Sequence, residues 1–197
     1  MKKFNLQTLI EIAIFAAFAM ALDILPSFKP HPSISISFAM IPIFIIAFRR
    51  GFAAGVISGF LWGILQITLG DAYILTPTQA FIEYIIAFSC VGFAGLFSNV
   101  IKNSLVEKKM TTAITWIVVG TFVGSVIRYF WHFLAGVIFF KKYAIEAGKA
   151  PVIFSLTMNG ITFIGAFITC AILLSLLLAK APALVTNARS STSRKAA

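Results

Sequence analysis

The chain has 197 residues, of which 60% are hydrophobic and 11% charged, with a formal net charge of +10. Its mean hydropathy is +0.99. A soluble domain carries about 25% charged residues, so a water-soluble globule of this size is excluded. The strands of a membrane barrel would alternate apolar and polar residues, and these runs do not. The composition points to an all-α integral membrane protein.

A helix needs roughly 20 residues to cross a bilayer core, and on that scale six transmembrane helices are expected. They fall at about 8–26, 33–48, 51–70, 77–101, 111–140 and 151–180, as one membrane domain over residues 1–180. The first is flanked by Lys2 and Lys3 and contains Ala19-Met20-Ala21, which mimics a cleavable signal peptide. Its length and the five runs after it favour a permanent span. Ala13, Ala17 and Ala21 repeat at four-residue spacing, a stripe that suits close helix packing or docking of another membrane protein. Glu11 and Asp23, near its ends, read as interfacial charges.

Pro26, Pro30 and Pro32 punctuate the chain before the second run, which is short enough to be tilted or partly interfacial. The third carries Gly51, Gly55, Gly59 and Gly63 in one stripe, and Gly120 and Gly124 on the fifth are candidate partners for it. Pro77 and Pro151 stand at first-turn positions, where the missing N–H costs nothing. Cys90 and Cys170 lie within apolar runs and read as small core residues. Residues 181–197 form a polar, basic tail.

With the N-terminus inside, the inner segments hold Lys2, Lys3, Arg49, Arg50, Lys102, Lys108, Lys109, Lys180, Arg189, Arg194 and Lys195. The outer loops hold only Lys29, Lys141, Lys142 and Lys149. The positive-inside rule then gives an N-in, C-in topology. The net charge is mostly this topology signal, and no soluble basic domain exists to carry nucleic acid.

Glu83 lies within the run PTQAFIEYIIAFSCVGFAGLF, residues 77–97. A carboxylate in hydrocarbon costs about 3 kcal/mol on insertion scales, so it needs a partner. At 1.5 Å per residue, Glu83 sits about 9 Å below the outer surface, and Trp62, His132 and Asn159 each about 12 Å. Tyr73 lies just above them, while Tyr84, Tyr129 and Trp131 add aromatic faces. A carboxylate beside aromatic rings suits a cationic organic ligand. The competing reading pairs Glu83 with Arg128 as a structural ion pair.

A rival of another class is an intramembrane hydrolase using Glu83 and His132. Against it, the sequence offers no second acidic residue at useful depth and no serine–histidine–aspartate order. No metal-ligand cluster is expected. There is no Walker A motif, so the chain cannot hydrolyse ATP by itself. No catalytic residue and no cofactor are therefore assigned.

The succession ISISFAMIPIFIIAFRRGFAAGVISGFLWGILQ, AYILTPTQAFIEYIIAFSCVGFAGLF, RYFWHFLAGVIFF and SLTMNG resembles the thiamine-specific S component of energy-coupling factor transporters, the ThiT or YuaJ family. The similarity spans roughly residues 5–178. It implies a six-helix membrane subunit of the bacterial plasma membrane with an outward-facing thiamine pocket. It also implies docking, through Ala13 and Ala17 or Ala17 and Ala21, onto a transmembrane coupling protein driven by two ATPase subunits. The implied binding positions are Trp62, Tyr73, Glu83, Tyr84, His132 and Asn159. Phe140, Phe154, Arg128 and Tyr129 are further possible contacts.

There are departures from the family pattern. The first outer loop lacks a Trp, Phe154 stands where the pattern has a Tyr, Met158 replaces an aromatic, and Phe140 stands near another family Trp. Each lost hydrogen bond is worth about 1 kcal/mol, which leaves a thiamine precursor or related pyrimidine or thiazole compound as the alternative ligand.

Overall fold

The computed structural model describes residues 4–24, 28–31 and 34–186. Pro26, Pro32 and most of the basic tail, from residue 187, lie outside the described residues. Four helical stretches are long and apolar enough to cross a membrane: α1 (Leu6–Ile24), α4 (Pro77–Val106), α5 (Met110–Phe139) and α7 (Pro151–Lys180). Between them lie a two-stranded hairpin, β1 (Phe28–His31) and β2 (Ile34–Ile36), and two shorter helices, α2 (Met40–Arg50) and α3 (Phe52–Thr68). A six-residue helix, α6 (Lys141–Glu146), links α5 to α7.

The second expected helix, 33–48, is corrected by this. Residues 34–36 pair with 28–31 as an antiparallel hairpin, Phe28 opposite Ile36 and His31 opposite Ile34. The Ile-Ser alternation of ISIS has a strand period of two, which mean hydropathy hides. Helix α2 therefore starts at Met40 and has only 11 residues, about 16 Å of rise. It does not reach across a bilayer. Every residue from Met40 to Phe48 except Ile41 is buried, so α2 is the centre of the bundle.

Helix α1 buries Ile12, Ala16, Ala19 and Met20, the spacing of one helical face. Ala13, Ala17 and Ala21 lie on its exposed face. The glycine stripe of α3 does not meet Gly120 and Gly124, as had been expected. Gly59 and Gly63 press on the main chain of α4 at the Phe88 and Tyr84 carbonyls, and Gly92 of α4 presses on Val56. Without Cβ atoms at these positions, α3 and α4 approach backbone to backbone. Gly120 and Gly124 instead receive the rings of Phe48 and Phe44 from α2, each 2.8 Å from where a Cβ would stand.

Helix α4 is not uniform. Pro77 opens it under a Thr76 cap that accepts from the Gln79 amide. Phe81–Ile86 is a π-helical turn, and Val91–Phe97 is wound as a tighter 3₁₀ segment. Such departures are frequent at functional sites, and the π turn is where Glu83 and Tyr84 sit.

At the far end of the bundle Glu11 accepts from both Arg49 (2.9 Å) and Arg50 (2.6 Å). Arg49 also donates to the Ala183 and Leu184 carbonyls, joining α1, α2 and the turn after α7. Glu11 is therefore a partly buried ion-pair partner that ties α1 to α2, a structural task beyond the interfacial position expected for it. Cys90 and Cys170 are buried free thiols.

Candidate functional site

One cavity of about 880 Å³ is enclosed by α1, α4, α5, α6 and α7, with the segment after the hairpin. Its chemistry begins at the π turn. Gly63 lets the Tyr84 carbonyl come against α3, and that register carries Glu83 toward α5. The Glu83 carboxylate accepts from Gln79 Nε2 on one oxygen and lies 3.3 Å from His132 Nδ1 on the other. Its side chain is only 14% exposed.

The hydrogen-bond network sets the state of His132. Arg128 donates from Nε to His132 Nε2 at 3.4 Å, so that nitrogen is the acceptor. The proton then sits on Nδ1 and is donated to Glu83, which is the neutral tautomer. Arg128 is not paired with Glu83. Its guanidinium carbon lies 4.2 Å from the Phe88 ring centroid and 4.6 Å from that of Trp62, an arrangement in which ring faces hold a cation. The competing reading, a direct Glu83–Arg128 ion pair, is thereby set aside.

The mouth is aromatic. The Tyr84 hydroxyl accepts from the Tyr73 amide at 2.8 Å. The Tyr73 and Tyr143 hydroxyls meet at 2.9 Å, with the Phe140 ring beside both. Gln79, fully buried, holds the loop beneath by accepting from the Leu75 amide and donating to the Tyr73 carbonyl. On the α7 wall Asn159 Nδ2 donates to the Ser155 carbonyl at 3.1 Å and to the Ser155 hydroxyl at 3.2 Å. Phe154 and Met158 line the same wall.

The structure thus brings Tyr73, Glu83, Tyr84, His132 and Asn159 into one cavity, together with Arg128, Tyr129, Phe140 and Phe154. Trp62 is set apart from them. It is fully buried one layer below, under Arg128. Asp23 is not an interfacial charge but one of three carboxylates lining the cavity, with Glu83 and the exposed Glu146. It accepts from Trp62 Nε1 at 3.1 Å, from Ser37 Oγ at 3.1 Å and from Gln66 Nε2. The available signal was Trp62 and Gln66, two buried donors four residues apart on one face of α3. Tyr143, on α6, and the buried Gln79, on α4, also belong to the site and carry no signal of their own in the sequence. Among the described residues no group of three metal-ligating side chains occurs.

Residues 9–186 match the family described as thiamine transporter protein (Thia_YuaJ). The chain belongs to that family. It is similar to the thiamine transporter ThiT of Bacillus subtilis (strain 168), 40% identical over 183 residues, covering 92% of this chain and 95% of that protein. It is also similar to ThiT of Lacticaseibacillus paracasei, at 37% identity over 187 residues, covering 91% and 90%. A solved structure of ThiT from Listeria monocytogenes superimposes with a TM-score of 0.88 at 44% identity, covering 92% of this chain and 98% of that one. As a member of the thiamine transporter family, the chain is a multi-pass bacterial membrane protein of a non-enzymatic class. The hydrolase reading of Glu83 and His132 falls with that assignment.

Proposed function

We propose that this chain binds thiamine in the cavity around Glu83 and serves as the substrate-binding subunit of an energy-coupling factor transporter. The observation that carries the reading is a carboxylate with no Lys or Arg within ion-pair distance among the described residues, held in an aromatic-lined cavity. Thiamine offers a permanent thiazolium charge, an aminopyrimidine donor and a hydroxyl. Glu83 meets the positive or protonated part, Tyr73 and Tyr84 supply ring faces and hydroxyls, and His132 and Asn159 orient the ligand. Trp62 supports the site from below by holding Arg128. The chain needs no cofactor of its own.

The topology is N-in and C-in, with six helical segments in the membrane (the short link α6 apart) of which α2 and α3 do not span alone. The cavity then faces outward, because Arg49, Arg50, Lys102 and Lys180 gather at the opposite end. Transport requires a transmembrane coupling protein and two ATPase subunits, which consume the ATP. Helix α1 is the docking element. Its Ala13, Ala17 and Ala21 face away from the bundle core, a small-residue surface suited to close helix approach. Labelled-thiamine uptake by cells expressing all four components tests this. Uptake should vanish when the coupling protein is omitted and when Ala17 is replaced by Trp, with binding by the purified chain retained. Unchanged uptake in well-expressed Ala13→Trp and Ala17→Trp proteins would refute the docking face.

A second reading keeps the architecture and changes the ligand to a pyrimidine or thiazole precursor. Phe154 and Met158, apolar side chains on the α7 wall, favour it. A fragment binding more tightly than thiamine would establish it.

A further inference from the structure

Asp23 stands at the outer end of α1, on the cavity wall opposite the Glu83 turn, and the proposed ligand chemistry gives it no task. Its hydrogen bonds say what it does. One oxygen accepts from both Trp62 and Gln66 on α3, and the other from Ser37 just after the hairpin. A carboxylate has about four acceptor positions, so three are already filled by protein donors. Glu83 has two filled. Asp23 is therefore spent on the protein, whereas Glu83 keeps capacity for a ligand.

From Asp23 a continuous series of contacts runs to Glu83. The Asp23 carboxylate fixes the edge of the fully buried Trp62 ring, and the face of that ring carries Arg128 at 4.6 Å. Arg128 donates to His132, and His132 donates to Glu83. Each step holds the next in one orientation: the indole cannot rotate without losing its acceptor, and rotation would remove one of the two ring faces, Trp62 and Phe88, between which Arg128 is held. We infer that Asp23 is a positioning residue of the ligand cavity, acting through Trp62, Arg128 and His132 on the carboxylate that meets the ligand. This rests on the thiamine-binding reading for its functional consequence, but the anchoring itself is independent of it.

Two arms keep those separate. In ligand-free protein with Trp116→Phe and Trp131→Phe, Trp62 is the sole tryptophan, and under selective tryptophan excitation acrylamide should quench it weakly. Adding Asp23→Ala should raise that quenching several-fold, and Asp23→Asn, which keeps an acceptor for the indole, should fall between. Unchanged quenching in both overturns the anchoring, whatever the protein binds. The second arm measures thiamine affinity in folded wild-type, Asp23→Asn, Trp62→Phe and double-mutant proteins. Each single change should weaken binding about 10-fold, the scale of one charge-assisted hydrogen bond. The double mutant should bind no worse than the weaker single mutant, because both changes break one series of contacts. Affinity unchanged by Asp23→Asn while melting temperature falls, or losses that multiply, would reduce Asp23 to a fold-stabilising residue.

Discussion

Glu83 meets its two protein partners, Gln79 and His132, through neutral donors. A carboxylate so placed is hydrogen-bonded but not charge-balanced by an ion pair, and in the proposed function a cationic ligand supplies the missing charge. Glu83→Gln keeps the shape and an acceptor for His132 but removes that charge. Its expected effect is a loss of about 10- to 100-fold in thiamine affinity, equivalent to the 1.5–3 kcal/mol of a charged hydrogen bond, read by titration of intrinsic fluorescence. An unaltered affinity would leave Glu83 as a structural group. At the other end of the bundle, Glu11→Gln strips the charge shared by Arg49 and Arg50. Stability should drop by about 2 kcal/mol, seen as a lower melting temperature in detergent, with thiamine affinity unchanged. Much of the site was legible residue by residue, because polar groups are so few in this chain that counting depth along each helix brings Glu83, His132 and Asn159 to one level. Asp23 was not legible that way. Its place one residue before the end of α1 resembles an interface position, and only its donors on α3 show that it faces inward.

At the scale of elements, the α3–α4 contact decides where the π turn stands. A Cβ at Gly63 would strike the Tyr84 carbonyl, so Gly63→Ala forces the two backbones apart and moves Tyr84 and Glu83 together. Overpacking of this kind costs about 1–3 kcal/mol, and ligand affinity should fall with melting temperature. Gly160, with nothing within 4 Å of its would-be Cβ, is the matched control: Gly160→Ala should leave melting temperature equal or higher. If both substitutions behave alike, the close approach is not what sets the turn. The glycine stripe on α3 announced that a backbone comes close, but not which one, since any helix without side-chain bulk satisfies it. The hairpin and the π turn were less legible. Hydropathy averages over the ISIS alternation, and a single extra residue in a helical turn leaves no period in the sequence.

For the whole molecule, the cavity and the cluster of Arg49 and Arg50 lie at opposite ends of the bundle, so topology and function stand or fall together. Because Cys90 and Cys170 are buried, single introduced cysteines report sidedness cleanly. Lys149→Cys should react with an impermeant maleimide in intact cells, and Thr111→Cys only after lysis. The reverse pattern would turn the cavity toward the cytoplasm and exclude uptake by this route. Long apolar runs make the four helices long enough to cross a membrane plain from the sequence, whereas the run at 33–48 overextends α2 because a buried central helix and a membrane span are equally apolar. The most direct test of thiamine binding at Glu83 is an equilibrium titration of the purified chain with thiamine, following the fluorescence of its tryptophans, beside Glu83→Gln. Saturable binding that weakens at least about 10-fold in the variant is the predicted result. Folded wild-type protein that fails to respond to thiamine, or a variant that binds as tightly as wild type, would contradict it.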